Sequence, residues 1–111
     1  MPRVSVFTPS HNPRWLDECW ETLAKQTFTD FEWIVVLNGG ARWRAPYDER
    51  ISVHLSNEKG VGALKSLACA VAEGEFLVEL DHDDLLAPNA LEAVVDVFDA
   101  NEDASLVYSD F

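Results

Sequence analysis

Residues 75–86 read EFLVELDHDDLL. Phe76, Leu77 and Val78 form an apolar run that passes through Glu79 and Leu80 into three carboxylates, Asp81, Asp83 and Asp84. The run predicts a strand, and the acids put clustered negative charge at the edge of a sheet. Such charges repel, and the repulsion costs stability unless a cation sits among them. A divalent metal, with a phosphate-bearing ligand on its far side, is the arrangement that relieves it.

Working outward, strand-like and helix-like segments alternate. Val4-Ser5-Val6-Phe7 predicts a short buried strand. Pro13 sits where a helix can start, with Asn12 as its N-cap. Leu16, Cys19, Trp20 and Leu23 then recur at helical spacing and give one apolar face. Residues 31–37, FEWIVVL, are apolar nearly throughout and rich in β-branched residues, as in a central parallel strand covered on both faces. Asn38-Gly39-Gly40 stops that run, and residues 41–50 read as irregular. Residues 51–55 predict a weaker third strand. Residues 60–72 predict a helix, apolar on most sides and therefore deeply buried. Pro88 opens another, whose Leu91, Val94, Val95 and Phe98 face away from Glu92, Asp96 and Asp99. Residues 106–108 suggest the start of a fifth strand.

This alternation predicts an α/β fold with three layers, α/β/α, around an open, mostly parallel sheet. Residues 1–111 read as one domain. Right-handed crossovers place every carboxyl end of a strand on one edge, where ligands of such sheets bind.

Composition narrows the function. The formal charge is −12, and only 8 Lys and Arg are present, so a nucleic-acid groove and an anionic membrane surface are both disfavoured. An anionic small ligand remains compatible if a metal, helix N-termini and a few placed cations hold it. The 2 cysteines, Cys19 and Cys69, fall on apolar helical segments and read as buried free thiols. The segment MPRVSVFTP lacks the apolar length of a secretion signal, and no uninterrupted membrane span is present. The chain reads as cytoplasmic, with a segment outside it able to tether it to a membrane. Trp15, Trp20 and Trp33 read as core, and Trp43, between two arginines, as exposed.

Polar groups gather at the predicted carboxyl edge. Thr8, His11 and Asn12 follow the first strand, Asn38 the second, Ser56, Asn57 and Lys59 the third, and Asp81, His82, Asp83 and Asp84 the fourth. Asp81 and Asp83 are two apart, a spacing that can direct both carboxylates to one side. Two such oxygens suit Mg2+ or Mn2+, which share octahedral sites with substrate phosphates. The same stretch also suits helix capping by Asp84 or Asn89, and His82 is as compatible with solvent as with a ligand. The glycines of GVGALK suit tight helix entry, because Lys65 stands where a dinucleotide fingerprint needs its third glycine. Lys59 and Lys65 are the nearest cations for a diphosphate. Asn38-Gly39 makes a turn by itself, and the Asn38 amide can equally read a base edge.

In order and spacing these pieces resemble the nucleotide-sugar-binding half of family 2 glycosyltransferases, which have the GT-A fold. VSVFTPSHN is similar to their VSVIIPTYN. LAKQTFTDFEWIVVLNGG resembles the helix end and second strand that usually close in VDDGS, and the segment NEKGVGALKSLACAVAEGEFLVELDHDDLLAPNAL resembles the stretch carrying the DxD motif. The resemblance implies that Thr8, Pro9, Asn12, Asn38, Asn57, Lys65, Asp81 and His82 line the nucleotide-sugar site, with Asp83 and Asp81 on a metal. It implies metal-dependent binding of a nucleoside diphosphate sugar for inverting transfer to a hydroxyl of a saccharide or glycoconjugate, as in polysaccharide biosynthesis. The acceptor half and catalytic base are expected beyond residue 111. Leu37-Asn38 departs from the usual Asp-Asp pair, and Lys65-Ser66-Leu67-Ala68 from Arg-Asn-x-Gly. A sheet ending after its fourth or fifth strand exposes an edge, which predicts a homodimer or marginal stability.

Two rival classes are weighed against this. A receiver-like domain needs an acidic pair after strand one and an acceptor Asp after strand three, where Thr8-Pro9-Ser10 and Ser56-Asn57 stand instead. A non-catalytic interaction module is favoured only by the substitution at Leu37-Asn38.

Overall fold

The computed structural model describes residues 3–56, 61–74, 76–80 and 85–100. Among these residues four strands, β1 (Val4–Ser10), β2 (Phe31–Leu37), β3 (Ile51–Leu55) and β4 (Phe76–Glu79), accompany three helices, α1 (Leu16–Ala24), α2 (Val61–Val71) and α3 (Ala90–Ala100). The strand order is β3-β2-β1-β4, and every pairing is parallel. The three-layer α/β reading therefore holds. The first strand runs to Ser10, three residues beyond the apolar run that announces it, because its end still pairs with β2. The suggested fifth strand lies outside the described residues.

Alternation along the strands sorts the core into two layers. Val4, Val6, Phe31, Trp33, Val35, Leu37 and Val78 pack on one face with Leu16, Cys19 and Leu23 of α1 and Leu91, Val94 and Val95 of α3. Phe7, Ile34 and Val36 pack on the other face with Leu64 and Ala68 of α2. β2 is buried at six of its seven positions, as its unbroken apolar sequence requires.

Polar ties fix the helices. The Asn12 side chain accepts from the Arg14 amide and starts a 3-10 turn at Pro13–Trp15 that runs into α1. Gln26, 4% exposed, donates to the carbonyls of Thr22 and Ala87 and accepts from the Leu91 amide. One buried amide thus locks the end of α1 to the start of α3 with its oxygen and nitrogen both used. Arg3 pairs with Asp99 and ties the end of α3 to the start of β1. Pro88 lies in the turn before α3 rather than in its first turn of helix.

Three expectations need correction. α2 is not buried on most sides: Leu64 and Ala68 are buried, while Ala63, Ser66, Cys69 and Ala70 are exposed. The outward residues are small, so they raise the helix's apolar content without demanding cover. Cys69 is accordingly an exposed thiol, whereas Cys19 is buried as expected. Trp43 is half-buried, not exposed. Its ring meets Trp33 edge-on with centroids 5.6 Å apart, and its Nε1 donates to Asp17 Oδ1 at 3.1 Å. Trp33 in turn stacks on Trp20 at 5.9 Å. Irregular residues 41–50 therefore cover one edge of the core.

That covering segment is closed by Asp48 and Arg50. The Arg50 guanidinium donates to both Asp48 oxygens at 3.0 Å and lies over the rings of Trp20 and Phe31. The hydrogen bond from Arg50 holds the Asp48 carboxyl below its ordinary value, against the opposing effect of burial. A depressed carboxylate adds stability above the unfolded aspartate value of about 3.9 and loses it as the pH falls through the folded value. Asp48→Asn is therefore expected to cost up to about 1 kcal/mol at neutral pH. Urea unfolding along a pH series should show the two proteins converging in acid.

Gly74, between α2 and β4, sits against β1. A Cβ built there would meet Ser5 N and Oγ at 2.7 Å and the Val4 carbonyl carbon at 2.8 Å. The Ser5 hydroxyl accepts from the Gly74 amide at 2.8 Å and donates to Glu32 at 2.7 Å. Backbone on the far side cannot yield cheaply, so Gly74→Ala should destabilise the fold by about 1–3 kcal/mol. Thermal unfolding should show a fall of several degrees, and an unchanged midpoint would refute the close approach.

Candidate functional site at the carboxyl edge

Because all four strands are parallel, their carboxyl ends share one edge. Three backbone bonds mark it: the Asn38 amide to the Ser10 carbonyl at 3.0 Å, the Ser56 amide to Leu37 at 2.9 Å, and the Leu80 amide to Phe7 at 2.8 Å. The chain leaves β1 for β2 in one direction and reaches β4 on its other side. Strand order thus reverses about β1, and a crevice outside the carboxyl ends of β1 and β4 is the place where open parallel sheets bind ligands.

Among the residues expected at the site, the structure brings Pro9, Asn12, Asn38 and Ser56 to this edge. Asn12 is exposed, and its carbonyl accepts from the Ser10 hydroxyl at 2.9 Å. Asn38 opens a turn that its carbonyl closes on the Ala41 amide, with Gly39 and Gly40 at φ of +65° and +80°. Two consecutive left-handed residues explain the glycine pair. Thr8 is placed differently. It is fully buried in the α1/α3 layer, and its Oγ1 accepts from Trp33 Nε1 at 2.9 Å. Its hydroxyl is thereby used within the core, so a part in ligand binding falls to the backbone around it. His11 is exposed beside the Asn38 turn, where a Cβ at Gly39 would meet its own Cβ at 3.7 Å.

Asn57, Lys59, Asp81, His82, Asp83 and Asp84 lie outside the described residues, as does the side chain of Lys65 within α2. Among the described residues no group of three His, Cys, Asp or Glu side chains could hold a metal ion. The chain does enter residues 81–84 from Leu80, whose amide is fixed to Phe7 at the edge. It emerges into Leu86, buried in the α1/α3 layer.

Two features of this edge escape the motif reading. Asn38 Oδ1 and His54 Nε2 are both buried and have no partner among the described residues. His54 pairs with Val36 in register, which puts it on the α2 face close to the carboxyl edge. The alternation of ISVHL places Ser52 and His54 on one side, a signal that the weak strand obscured. Arg42 is the second. With Leu37, Gly40, Ala41, Leu55 and Ser56 it lines a hollow of about 160 Å3 at the ends of β2 and β3. It supplies a positive charge beside this edge, from a segment that reads only as irregular.

The opposite edge is of another character. A larger concavity, about 490 Å3, is lined there by Asp30, Glu32, Glu49 and Glu73 with Arg50. Four carboxylates against one guanidinium, itself paired with Asp48, disfavour an anionic ligand. Size therefore points to one edge and topology to the other. Topology decides, because ligands of open parallel sheets bind outside the carboxyl ends of the strands, where strand order reverses. No helix among the described residues is long and apolar enough to cross a membrane.

Comparison with known proteins agrees with this architecture. A family model described as Glycosyl transferase family 2 matches residues 5–109. An uncharacterized glycosyltransferase of Methanocaldococcus jannaschii is 32% identical over 120 residues, which cover 97% of this chain and 41% of that protein. Chondroitin synthase of Escherichia coli is 26% identical over 117 residues, covering 98% of this chain and 17% of the synthase. Crystal structures of S. aureus TarS in complex with UDP and with UDP-GlcNAc each match at a TM-score of 0.73 and 26% identity. The matches span 90% of this chain and about a third of the TarS 1–349 chain, and the likeness gives the sheet the GT-A arrangement. The chain spans less than half the length of these relatives. Its sequence and its fold together place it in one group: the chain belongs to glycosyl transferase family 2.

Proposed function

We propose that this chain is the donor-binding domain of a glycosyltransferase, which takes a nucleoside diphosphate sugar at the carboxyl edge of its sheet. The observation that carries the reading is the gathering of Asn12, Asn38, Ser56 and the entry to residues 81–84 at one rim, at the reversal of strand order. The complexes of TarS 1–349 with UDP and UDP-GlcNAc support it, since the matched portion shares this fold at a TM-score of 0.73. Asn38 supports it too: a buried amide oxygen without a partner among the described residues is costly unless something else supplies a donor.

In this reading the base lies against Asn38 and the turn it opens. The diphosphate lies toward Lys65 and the acidic segment. Asp83, with Asp81, would hold Mg2+ or Mn2+. The donor set fits: carboxylate oxygens two residues apart, entered from a strand fixed at the rim, are what a hard cation prefers. When bound, the metal offsets the charge that grows on the leaving diphosphate. The chain's own residues bind the nucleotide and orient the sugar. The inverting displacement by an acceptor hydroxyl requires a base, which we assign to sequence beyond residue 111. The whole enzyme would then act on a saccharide or glycoconjugate acceptor, in the cytoplasm or at a membrane's cytoplasmic side.

Titration calorimetry with UDP, GDP and dTDP, with and without Mn2+, measures the claim. Binding of at least one nucleotide, strengthened by Mn2+ in the native chain and indifferent to Mn2+ in Asp83→Ala, is the expected outcome. A folded native chain that binds none of them would remove the donor-binding reading. Binding equally tight with and without the metal would remove the role of Asp83 alone.

A further inference from the structure

Pro9 stands where proline is rarely tolerated. β1 is a central strand, with β2 on one side and β4 on the other. Proline lacks a backbone donor, so within sheets it belongs to edges, first positions and bulges. Its neighbours Thr8 and Ser10 are 0% and 1% exposed, and Pro9 itself is half-buried, so no edge position excuses it.

The register shows which bond is missing. Ser10 offers its carbonyl to β2, through the Asn38 amide. Arg3 and Phe7 offer theirs to β4, through the amides of Phe76 and Leu80. Along β1, odd-numbered residues therefore face β4 and even-numbered residues face β2, as strand geometry demands. In a parallel ladder the next bond after Leu80 N to Phe7 O runs from the amide of residue 9 to the carbonyl of Leu80. Residue 9 is proline, so that bond cannot form. Among the described residues, pairing with β4 ends at Phe7 with Glu79, while pairing with β2 continues to Ser10 with Leu37. The asymmetry falls at the reversal of strand order, on the side of β1 from which the acidic segment departs.

We propose that Pro9 is a positioning residue that denies Leu80 its ladder bond and so holds the carboxyl end of β1 unpaired on the crevice side. The proposal deepens the donor-binding reading and rests on it for the identity of what enters. The reach of the proline is local. It withholds one donor on one side of β1 and leaves the β2 side intact.

The test is Pro9→Ala in the full chain, with Pro46→Ala as a control that removes an exposed proline from outside any strand. Alanine restores the donor. The new amide at position 9 should exchange with solvent at least about tenfold more slowly than an unprotected amide, as a ladder-bonded one does. Thermal stability should be unchanged or raised, and affinity for UDP with Mn2+ should fall about tenfold relative to both the native chain and Pro46→Ala. Free exchange of that amide in Pro9→Ala overturns the ladder claim. Protection together with unchanged affinity overturns the positioning role. An unfolded Pro9→Ala protein overturns both, because it would make the proline a folding requirement. If the native chain binds no nucleoside diphosphate, the donor-binding reading fails, and amide exchange at position 9 still decides the ladder.

Discussion

Parallel pairing of β1 with strands on both of its sides is the constraint on which the rest of the molecule depends. It obliges each connection between successive strands to return to the sheet's other end: α1 does so between β1 and β2, irregular residues 38–50 between β2 and β3, and α2 between β3 and β4. It buries β1 and β2 on both faces, which is why β2 is apolar nearly throughout and why the polar Ser5, Thr8 and Ser10 of β1 are buried. It sends every strand's carboxyl end to one rim, and it makes strand order reverse about β1. Sequence-distant polar residues meet at that rim for no other reason. A sheet with one antiparallel neighbour of β1 would divide them between two edges.

With a net charge of −12, most of the surface repels an anion. The opposite edge does so through four carboxylates around its concavity. The rim has Arg42 beside it, while Asp81, Asp83 and Asp84 follow in sequence on Leu80. An anion is favoured there once a cation offsets those three acids, which is the arrangement proposed above.

Much of this was legible in the residues. FEWIVVL could only be a central strand, and its bounds in the structure are those of the apolar run. The Asn12-Pro13 start, the face of Leu16, Cys19 and Leu23, and the stripe of Leu91, Val94 and Val95 follow from capping chemistry and helical period. What was illegible depends on tertiary partners. Whether Ala70 and Cys69 are covered depends on what lies over α2, which its own period does not encode. Trp43 finds cover only because Trp33 and Asp17 come to it through the fold. Thr8 looks like a rim hydroxyl until the register sets it beneath Trp33 Nε1. His54 and Arg42 carry no motif, and their places near the site exist only once β3 is paired.

The central claim is that a nucleoside diphosphate binds at the carboxyl rim and not in the larger acidic concavity. Amide shift mapping during titration with UDP and Mn2+ addresses it directly, because the two edges have separate sets of amides. The account predicts changes confined to residues 10–12, 38–42 and 56 and to the amide of Leu80, with Asp30, Glu32, Glu49 and Glu73 unmoved. Changes centred on those four acids, with a silent rim, would contradict it.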